Sequence, residues 1–226
     1  MTEAAGRKSA DELQEIYADL APKMDRMAWL DRLVTGRHRR RLFGRARGRT
    51  LDVACGLGLN LRYLTEAVEY VGVDLSPEML SRARERFADG NPPTEFIRMD
   101  AADLEFDDDA FDTVISSLST CTFPDPDAVL REMGRVCSPD GRILLLEHGR
   151  SDVEMLARFQ DWRAEAHFEK HGCRWNQEPR EIVTGAGLPI SEHRTSLLGV
   201  LTAIEARPDC GESAGWSEEA GASSTR

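Results

Sequence analysis

Fifty residues into the chain, Leu51-Asp52-Val53-Ala54-Cys55-Gly56-Leu57-Gly58 is followed by Tyr70-Val71-Gly72-Val73-Asp74. A short apolar run that breaks into a glycine-rich turn, then a β-rich run that ends in an acid, leaves few folds open. Glycines at such a turn let backbone amides approach a ligand, and the helix N-terminus behind the turn offers partial positive charge. An acid at the end of the next strand, 16 residues after Gly58, suits a two-pronged grip on a ribose diol. Together they describe a site for a nucleoside cofactor. A dinucleotide site wants a third glycine where this chain has Leu61, which argues against a nicotinamide oxidoreductase. Nor does a dinucleotide fold give a reason for an acid at Asp52, inside the first run.

The same alternation continues downstream. Thr50–Ala54, Tyr70–Val73, Phe96–Met99, Phe111–Ser116 and Ile143–Glu147 read as strands. Leu59–Ala67 has helical spacing. Ser76 reads as the N-cap of a helix to about Ala88, with Pro77 at its first position and Glu78 in its first turn. Asp125–Val136 reads as another helix, stopped by Ser138-Pro139-Asp140-Gly141. Repeated strand–helix–strand units give a parallel sheet covered on both faces, a doubly wound α/β fold. Ala10–Arg47 reads as mostly helical, with Leu13, Ile16, Tyr17 and Leu20 at helical spacings. Ser191–Thr195 and Val200–Glu205 read as two strands turning near Leu198-Gly199, with a buried helix as the alternative for the second. Beyond Arg207, Gly, Ser, Ala and acids dominate, which predicts disorder.

Charge excludes one class of partner. With 29 Lys+Arg against 40 Asp+Glu, the net charge of −11 leaves no broad basic face for duplex DNA. Eight arginines and no acid lie between Arg32 and Arg49, so the other residues carry −19. The Arg37-His38-Arg39-Arg40-Arg41 part of the 37–49 stretch either docks on anionic lipid headgroups or forms a solvated helix face balancing an acidic body. An RNA contact lacks nearby aromatic stacking residues. Lysine is confined to Lys8, Lys23 and Lys170, a bias that salt adaptation and a GC-rich genome explain equally well. The longest aliphatic run, Ile143–Leu146, is far short of the roughly 20 residues that span a bilayer. Met1–Ala10 has no apolar h-region, so a cytoplasmic location is expected. Cys55, Cys121, Cys137, Cys173 and Cys210 form an odd, widely spaced set, as free thiols in a reducing compartment do.

From about Ala10 to Arg207 the chain resembles the class I S-adenosylmethionine (SAM) methyltransferases. Leu51–Gly58 is similar to their first motif, with Ala54 where glycine is commonest. Gly72–Leu80 is similar to their second strand and ribose-binding acid. Met99-Asp100-Ala101 is similar to the element whose Asp approaches the adenine amine. Phe111–Ser117 is similar to the fourth strand, and Arg135–Leu146 to the helix, Pro-Asp-Gly turn and fifth strand. The resemblance implies SAM as cofactor, about seven strands and an N-terminal helical lid over residues 10–48. The expected organisation is a flexible N-terminus over 1–9, one methyltransferase domain over 10–207 and a disordered acidic tail over 208–226.

Residue by residue, the resemblance places Asp52 at the methionine end and the backbone of Gly56 and Gly58 against the cofactor. It places Asp74 at the ribose, and Asp100 with the Ala101 amide at the adenine edge. Ala54, Leu75 and Ser117 are counted among the cofactor contacts. Met79 packs near the adenine or is an ordinary core methionine. Asn60 reaches the methionine carboxylate or caps a helix. Tyr17 matches an N-terminal tyrosine that closes over the sulfonium in many relatives, whose second Tyr–Asp pair is Met24-Asp25 here. A closer resemblance is to the branch holding ubiquinone/menaquinone C-methyltransferases, small phospholipid N-methyltransferases and alkyl-thiol enzymes. Leu118–Pro126, Leu145–His148 and Gly172–Asn176 are similar to its lipid and thiol members in particular. Methyl transfer to a small-molecule or lipid-like acceptor, of phospholipid amine or thiol type, is implied. The alternatives are C-methylation of a quinone precursor and a non-catalytic SAM-binding regulatory domain. Acceptor atom and oligomeric state are not specified.

Transfer from a sulfonium asks mainly for alignment and desolvation, and for some substrates one deprotonation. His148 follows the fifth strand on the edge where open α/β sheets bind ligands. It is the candidate base, with a backbone-bonded loop histidine as the alternative. His167 and His171 share a helix face and, with Cys173, invite comparison with H-E-x-x-H. The glutamate of His167-Phe168-Glu169-Lys170-His171 is one place out of register and no further ligand cluster is evident, so no metal is expected. Glu147 reads as a pocket acid or a strand-end residue, and Cys121 and Cys173 as packing or pocket lining.

Overall fold

A 34-residue helix, α1 (Ala10–Phe43), leads into the sheet in a computed structural model that describes residues 8–64, 69–88 and 93–208. A capping box starts α1: Ser9 Oγ accepts from the Glu12 amide, and the Glu12 carboxylate accepts from the Ser9 amide. Seven strands follow: β1 (Arg49–Val53), β2 (Glu69–Asp74), β3 (Thr94–Arg98), β4 (Phe111–Ser117), β5 (Cys137–His148), β6 (Ile190–Ser196) and β7 (Leu201–Ala206). Helices α2 (Pro77–Arg86), α3 (Pro126–Val136), α4 (Glu154–His171) and α5 (Pro179–Gly185) connect them.

The strands form one sheet in the order β3-β2-β1-β4-β5-β7-β6. The first five are parallel, and β7 runs antiparallel to both β5 and β6. From β1 the chain goes to β2 on one side and later returns to β4 on the other. The C-terminal end of β1 is therefore a topological switch point, where open α/β sheets bind ligands.

Alternation along β5 divides the core. Ile143 and Leu145 pack with Leu51, Val53, Val114 and the α3 side chains Leu130 and Met133. Leu144 and Leu146 pack on the opposite face with Ile115, Tyr63 and the end of α1, Leu42 and Phe43. Each of these fully buried aliphatics contributes about 1.5–3 kcal/mol relative to exposure, and the second cluster anchors the C-terminal end of α1 to the sheet.

Several elements differ from expectation. Of the expected helix over 59–67, the described residues 59–64 hold only the short 3₁₀ turn Leu61–Tyr63, because the Asn60 side chain turns inward and caps nothing; residues 65–68 lie outside the described residues. Ser138-Pro139-Asp140-Gly141 does not separate helix from strand. It is an irregularity within β5, across which the ladder passes from Phe111–Cys137 to Thr113–Arg142. Val200–Glu205 resolves as strand, since β7 completes ladders with both β5 and β6. The expected N-terminal boundary moves: Lys8 pairs with Glu169 and Ser9 caps α1, while residues 1–7 are outside the described ones. The expected tail falls, from residue 209 on, outside them as well. Among the described residues no helix is long and apolar enough to cross a membrane.

Candidate functional site

After β1 the chain takes left-handed backbone angles at Ala54, Gly56 and Gly58, with φ of 54°, 54° and 68°. Ala54 bears a Cβ in a conformation that costs an L-residue roughly 1–2 kcal/mol, tolerated because the turn must be this tight. A Cβ added at Gly56 would meet nothing within 4 Å, so this backbone faces open space. Gly58 differs: a Cβ there would come within 3.1 Å of Phe87 and Phe96, so it faces packed rings. Asp74 clips the turn to the next helix. Its Oδ2 accepts from the Gly56 amide at 2.8 Å and its Oδ1 from the Ser76 amide at 2.9 Å. Burial raises the pKa of this carboxyl, and the amide bonds oppose that. Ser76 Oγ then caps α2 by accepting from the Met79 amide.

These groups border a cavity of about 760 Å³ along the C-terminal edge of the sheet. Tyr17, Ala54, Gly56, Asp74, Leu75 and Met79 line it, as do Asp100, Ala101, Ser117 and His148. Met79 packs with Ala21 of α1 and Leu57, so it belongs at once to the wall and to a small core cluster. Asp100 turns its Oδ1 back to accept from the Ala102 amide. From Asp74 to His148 the wall crosses three strand spacings, roughly 14 Å. The first part of this wall offers an open backbone at Gly56, the Asp74 carboxylate and the side chains of Leu75, Met79 and Ala101, a lining whose chemistry suits a nucleoside. Tyr17 is largely buried, and burial raises its hydroxyl pKa, with Cys121, Cys173 and Asp74 adding to the rise.

Asp52, Asn60 and Gly58 lie behind the wall rather than on it. Asp52 is completely buried and accepts from Tyr70 Oη at 2.7 Å and from Asn60 Nδ2 at 3.0 and 3.1 Å. Asn60 Oδ1 accepts from Arg39 Nη1 and from Ser117 Oγ. Arg39 also donates to Ser117 Oγ, Thr35 Oγ1 and Asp31. A polar chain thus runs from α1 through Arg39, Asn60 and Asp52 to Tyr70. Asn60 is neither a helix cap nor free for a ligand, because its amide is used at both ends. Desolvation pushes the Asp52 carboxyl up to about 7, against the Tyr70 and Asn60 bonds and the Arg39 charge.

This chain corrects the reading of the arginine stretch. Arg39 is only 4 % exposed and belongs to the site. Arg45 pairs with Glu192 and Glu205, Arg49 pairs with Glu69, and Arg47 bonds the Asp140 carbonyl. Arg37, Arg40 and Arg41 remain exposed. Neither Arg39 nor Tyr70 was a candidate site residue; no local pattern separates Arg39 from its solvated neighbours.

The far end of the cavity holds sulfur and imidazole. His148 Nε2 lies 3.2 Å from Cys121 Sγ and 3.3 Å from Cys173 Sγ. The imidazole read as the candidate base is therefore already engaged by two sulfurs. Burial works to lower the His148 pKa, but Cys173 and Glu147 leave it raised. Cys173 is held below the usual thiol range by hydrogen bonding to Cys121, with His148 and His167 acting in the same direction. Glu147 is buried and accepts from the Ser119 and Thr120 amides, which fixes the loop that carries Cys121. Burial pushes its carboxyl up to about 7. His167 and His171 share a helix face as expected and also line the cavity, their rings 4.7 Å apart, with His167 stacked on Trp175.

An open sheet in this strand order, with a glycine turn and an acid at its switch point, is the fold of the class I SAM-dependent methyltransferases, and the chain shares that fold. Residues 51–145 match the family model described as methyltransferase domain, and SAM is the cofactor of the class. The protein named methyltransferase OMS1, mitochondrial, of Saccharomyces cerevisiae is 27 % identical over 219 residues, covering 88 % of this chain and 46 % of its own. The phosphatidylethanolamine N-methyltransferase of Cereibacter sphaeroides is 39 % identical over 124 residues, or 54 % of this chain and 60 % of its own. The chain thus spans about half the length of these curated relatives. A chain from the complex between the Haloferax volcanii Trm112 methyltransferase activator and a putative methyltransferase shares the fold. Its TM-score is 0.68 at 22 % identity, with 85 % of this chain and 98 % of that one covered.

Proposed function

We propose that the protein transfers the methyl group of SAM to a lipid-like acceptor with a nucleophilic amine or thiol head. The observation that carries this reading is the two-part wall of a single cavity. Beside the nucleoside groups, Leu20, Met24, Met27, Leu30 and Val34 of α1 face Leu118 and Phe123. Such a lining suits an apolar acceptor body and keeps water from the reacting centre. Outside the cavity, Trp29 and Leu33 are 67 % and 74 % exposed, and Arg37 and Arg41 continue the same helical stripe at steps of four. An apolar stretch running into basic residues favours contact with an anionic membrane surface, from which such an acceptor is drawn.

Bound SAM supplies a methyl group already activated by its sulfonium. In this reading Asp74 orients the ribose through its carboxylate, the Gly56 backbone leaves room for the cofactor, and Tyr17 closes the α1 side. Arg39, through Asn60 and Ser117, holds α1 against the glycine turn. The chain's own work is alignment and exclusion of water.

Calorimetric titration with SAM and S-adenosylhomocysteine, with NADH as control, tests the cofactor. Micromolar binding of both and none of NADH is expected. Turnover with radiolabelled SAM is then compared on vesicles containing an aminophospholipid, a long-chain alkyl thiol and a demethylated quinone. Turnover on the quinone alone overturns the proposed acceptor class. Silence toward SAM overturns the activity itself.

A further inference from the structure

The mechanism above makes no use of the cluster at the far end of the cavity. We propose that Cys121, His148 and Cys173 form a binding site for a zinc-class metal ion, with three protein ligands and a fourth position open to the cavity. Their donor atoms all lie within 4.8 Å of one another. Tetrahedral zinc, with Zn–S near 2.3 Å and Zn–N near 2.0–2.1 Å, sets its sulfur and nitrogen ligands roughly 3.5 Å apart. The two sulfur–nitrogen distances of 3.2 and 3.3 Å lie within about 0.3 Å of that spacing. Two thiolates and an imidazole are the donor set that selects zinc over magnesium or calcium.

The main chain, not the sulfurs, holds this arrangement. The Arg174 amide donates to the Cys121 carbonyl at 3.0 Å, which ties the two cysteine loops together. Glu147 fixes the Cys121 loop from below through the Ser119 and Thr120 amides. Gly172, with φ of 66°, ends α4 and turns the chain into Cys173. His148 is further bonded to the Trp175 backbone, the kind of outer contact that fixes the ring of a ligating histidine. All three residues also line the cavity. An ion held by them leaves a position for water or for a heteroatom of the methyl acceptor. That last role rests on the function proposed above; the binding of metal does not.

The test uses the full-length protein, freed of metal by a chelator and then titrated with Co²⁺ and, in competition with a chromogenic chelator, with Zn²⁺. One equivalent of Co²⁺ should give a thiolate-to-cobalt charge-transfer band and the intense visible bands of tetrahedral cobalt. Cys121→Ser with Cys173→Ser should abolish the charge-transfer band and weaken Zn²⁺ binding by more than about a hundredfold, whereas Cys210→Ser should change neither. His148→Gln leaves both thiols, so it should retain a charge-transfer band but alter the visible bands. Circular dichroism of each variant confirms that it folds. Absence of the band in the wild type, its persistence in the double cysteine variant, or a Cys121–Cys173 disulfide in protein purified under reducing conditions overturns the site. SAM titration of the same samples separates the two proposals: SAM binding without metal removes only the metal site, and metal without SAM binding removes only the transferase reading.

Discussion

Asp52 offers the sharpest test of how the polar chain behind the cavity is built. Its carboxyl is completely buried and pushed up to about 7 from an ordinary 3.8, mainly by desolvation. A raised acid pKa means that the folded protein holds this proton where the unfolded chain has released it. Between those two values folding takes up a proton, so stability falls as pH rises, by about 1.4 kcal/mol per pH unit. Over the whole window the loss is about 4 kcal/mol, fully present at acid pH as stability and gone above about pH 7. Asp52→Asn removes the titration while retaining most of the volume. Its amide oxygen still accepts, while its amide nitrogen, like the hydroxyl of the protonated acid, only donates, so the variant resembles neutral Asp52 at every pH. Urea unfolding of wild type and variant between about pH 4 and about pH 8 isolates the effect, since Glu147 and the other acids titrate in both proteins. The stability advantage of the wild type should shrink by about 4 kcal/mol across the series. A gap that stays constant to within about 1 kcal/mol would mean that the carboxylate is as comfortable in the fold as in water, and the burial argument would fail.

Three further outcomes follow from the same geometry. Asp74→Ala frees the Gly56 and Ser76 amides and should weaken SAM binding in calorimetry at least about tenfold, near 1.4 kcal/mol; unchanged affinity would place the ribose elsewhere. Arg39→Met strips donors from Asn60, Ser117, Thr35 and Asp31 and should cost about 2–4 kcal/mol in urea unfolding. A cost within about 0.5 kcal/mol would show that Arg39 behaves as a surface arginine. Arg37→Glu with Arg41→Glu should reduce sedimentation with anionic but not neutral vesicles, and equal sedimentation of both proteins would dismiss the membrane contact.

What the sequence made legible was local. The run from Leu51 to Met79 writes its strand, turn, acid and cap within thirty residues, and bonds inside that same run, from the Gly56 and Ser76 amides to the Asp74 carboxylate, complete it. Groups brought together from far apart were hidden. Arg39 looks like any member of a basic run until Asn60 and Ser117, 21 and 78 residues away, bury it. Cys121, His148 and Cys173 come from three separate loops and strand ends, so no spacing announces their meeting. The histidine pair at 167 and 171 did show helical spacing, yet the ring that meets both sulfurs is His148. Of helix α4 only the end carrying that histidine pair was read, because its buried residues, Ala157, Gln160 and Phe168, trace no apolar stripe.

One consequence of α1 concerns where so long a helix can bend. At 1.5 Å per residue the helix is about 51 Å long, and it is pinned at both ends. Leu42 and Phe43 sit in the core, while Lys8 reaches Glu169 just before the helix. Pro22 stands about a third of the way along it, where the missing amide removes one rung of the helical ladder. Just beyond it, Asp25 is bound to Arg82 and Arg86 of α2. The part before Pro22 carries Leu13 and Tyr17 over the cavity and is fastened at its free end by a half-exposed ion pair; the part after it is riveted to the sheet. A bend at Pro22 falls where one rung of the helical ladder is already missing, so the helix yields there first, between the arm over the cavity and the arm packed on the sheet.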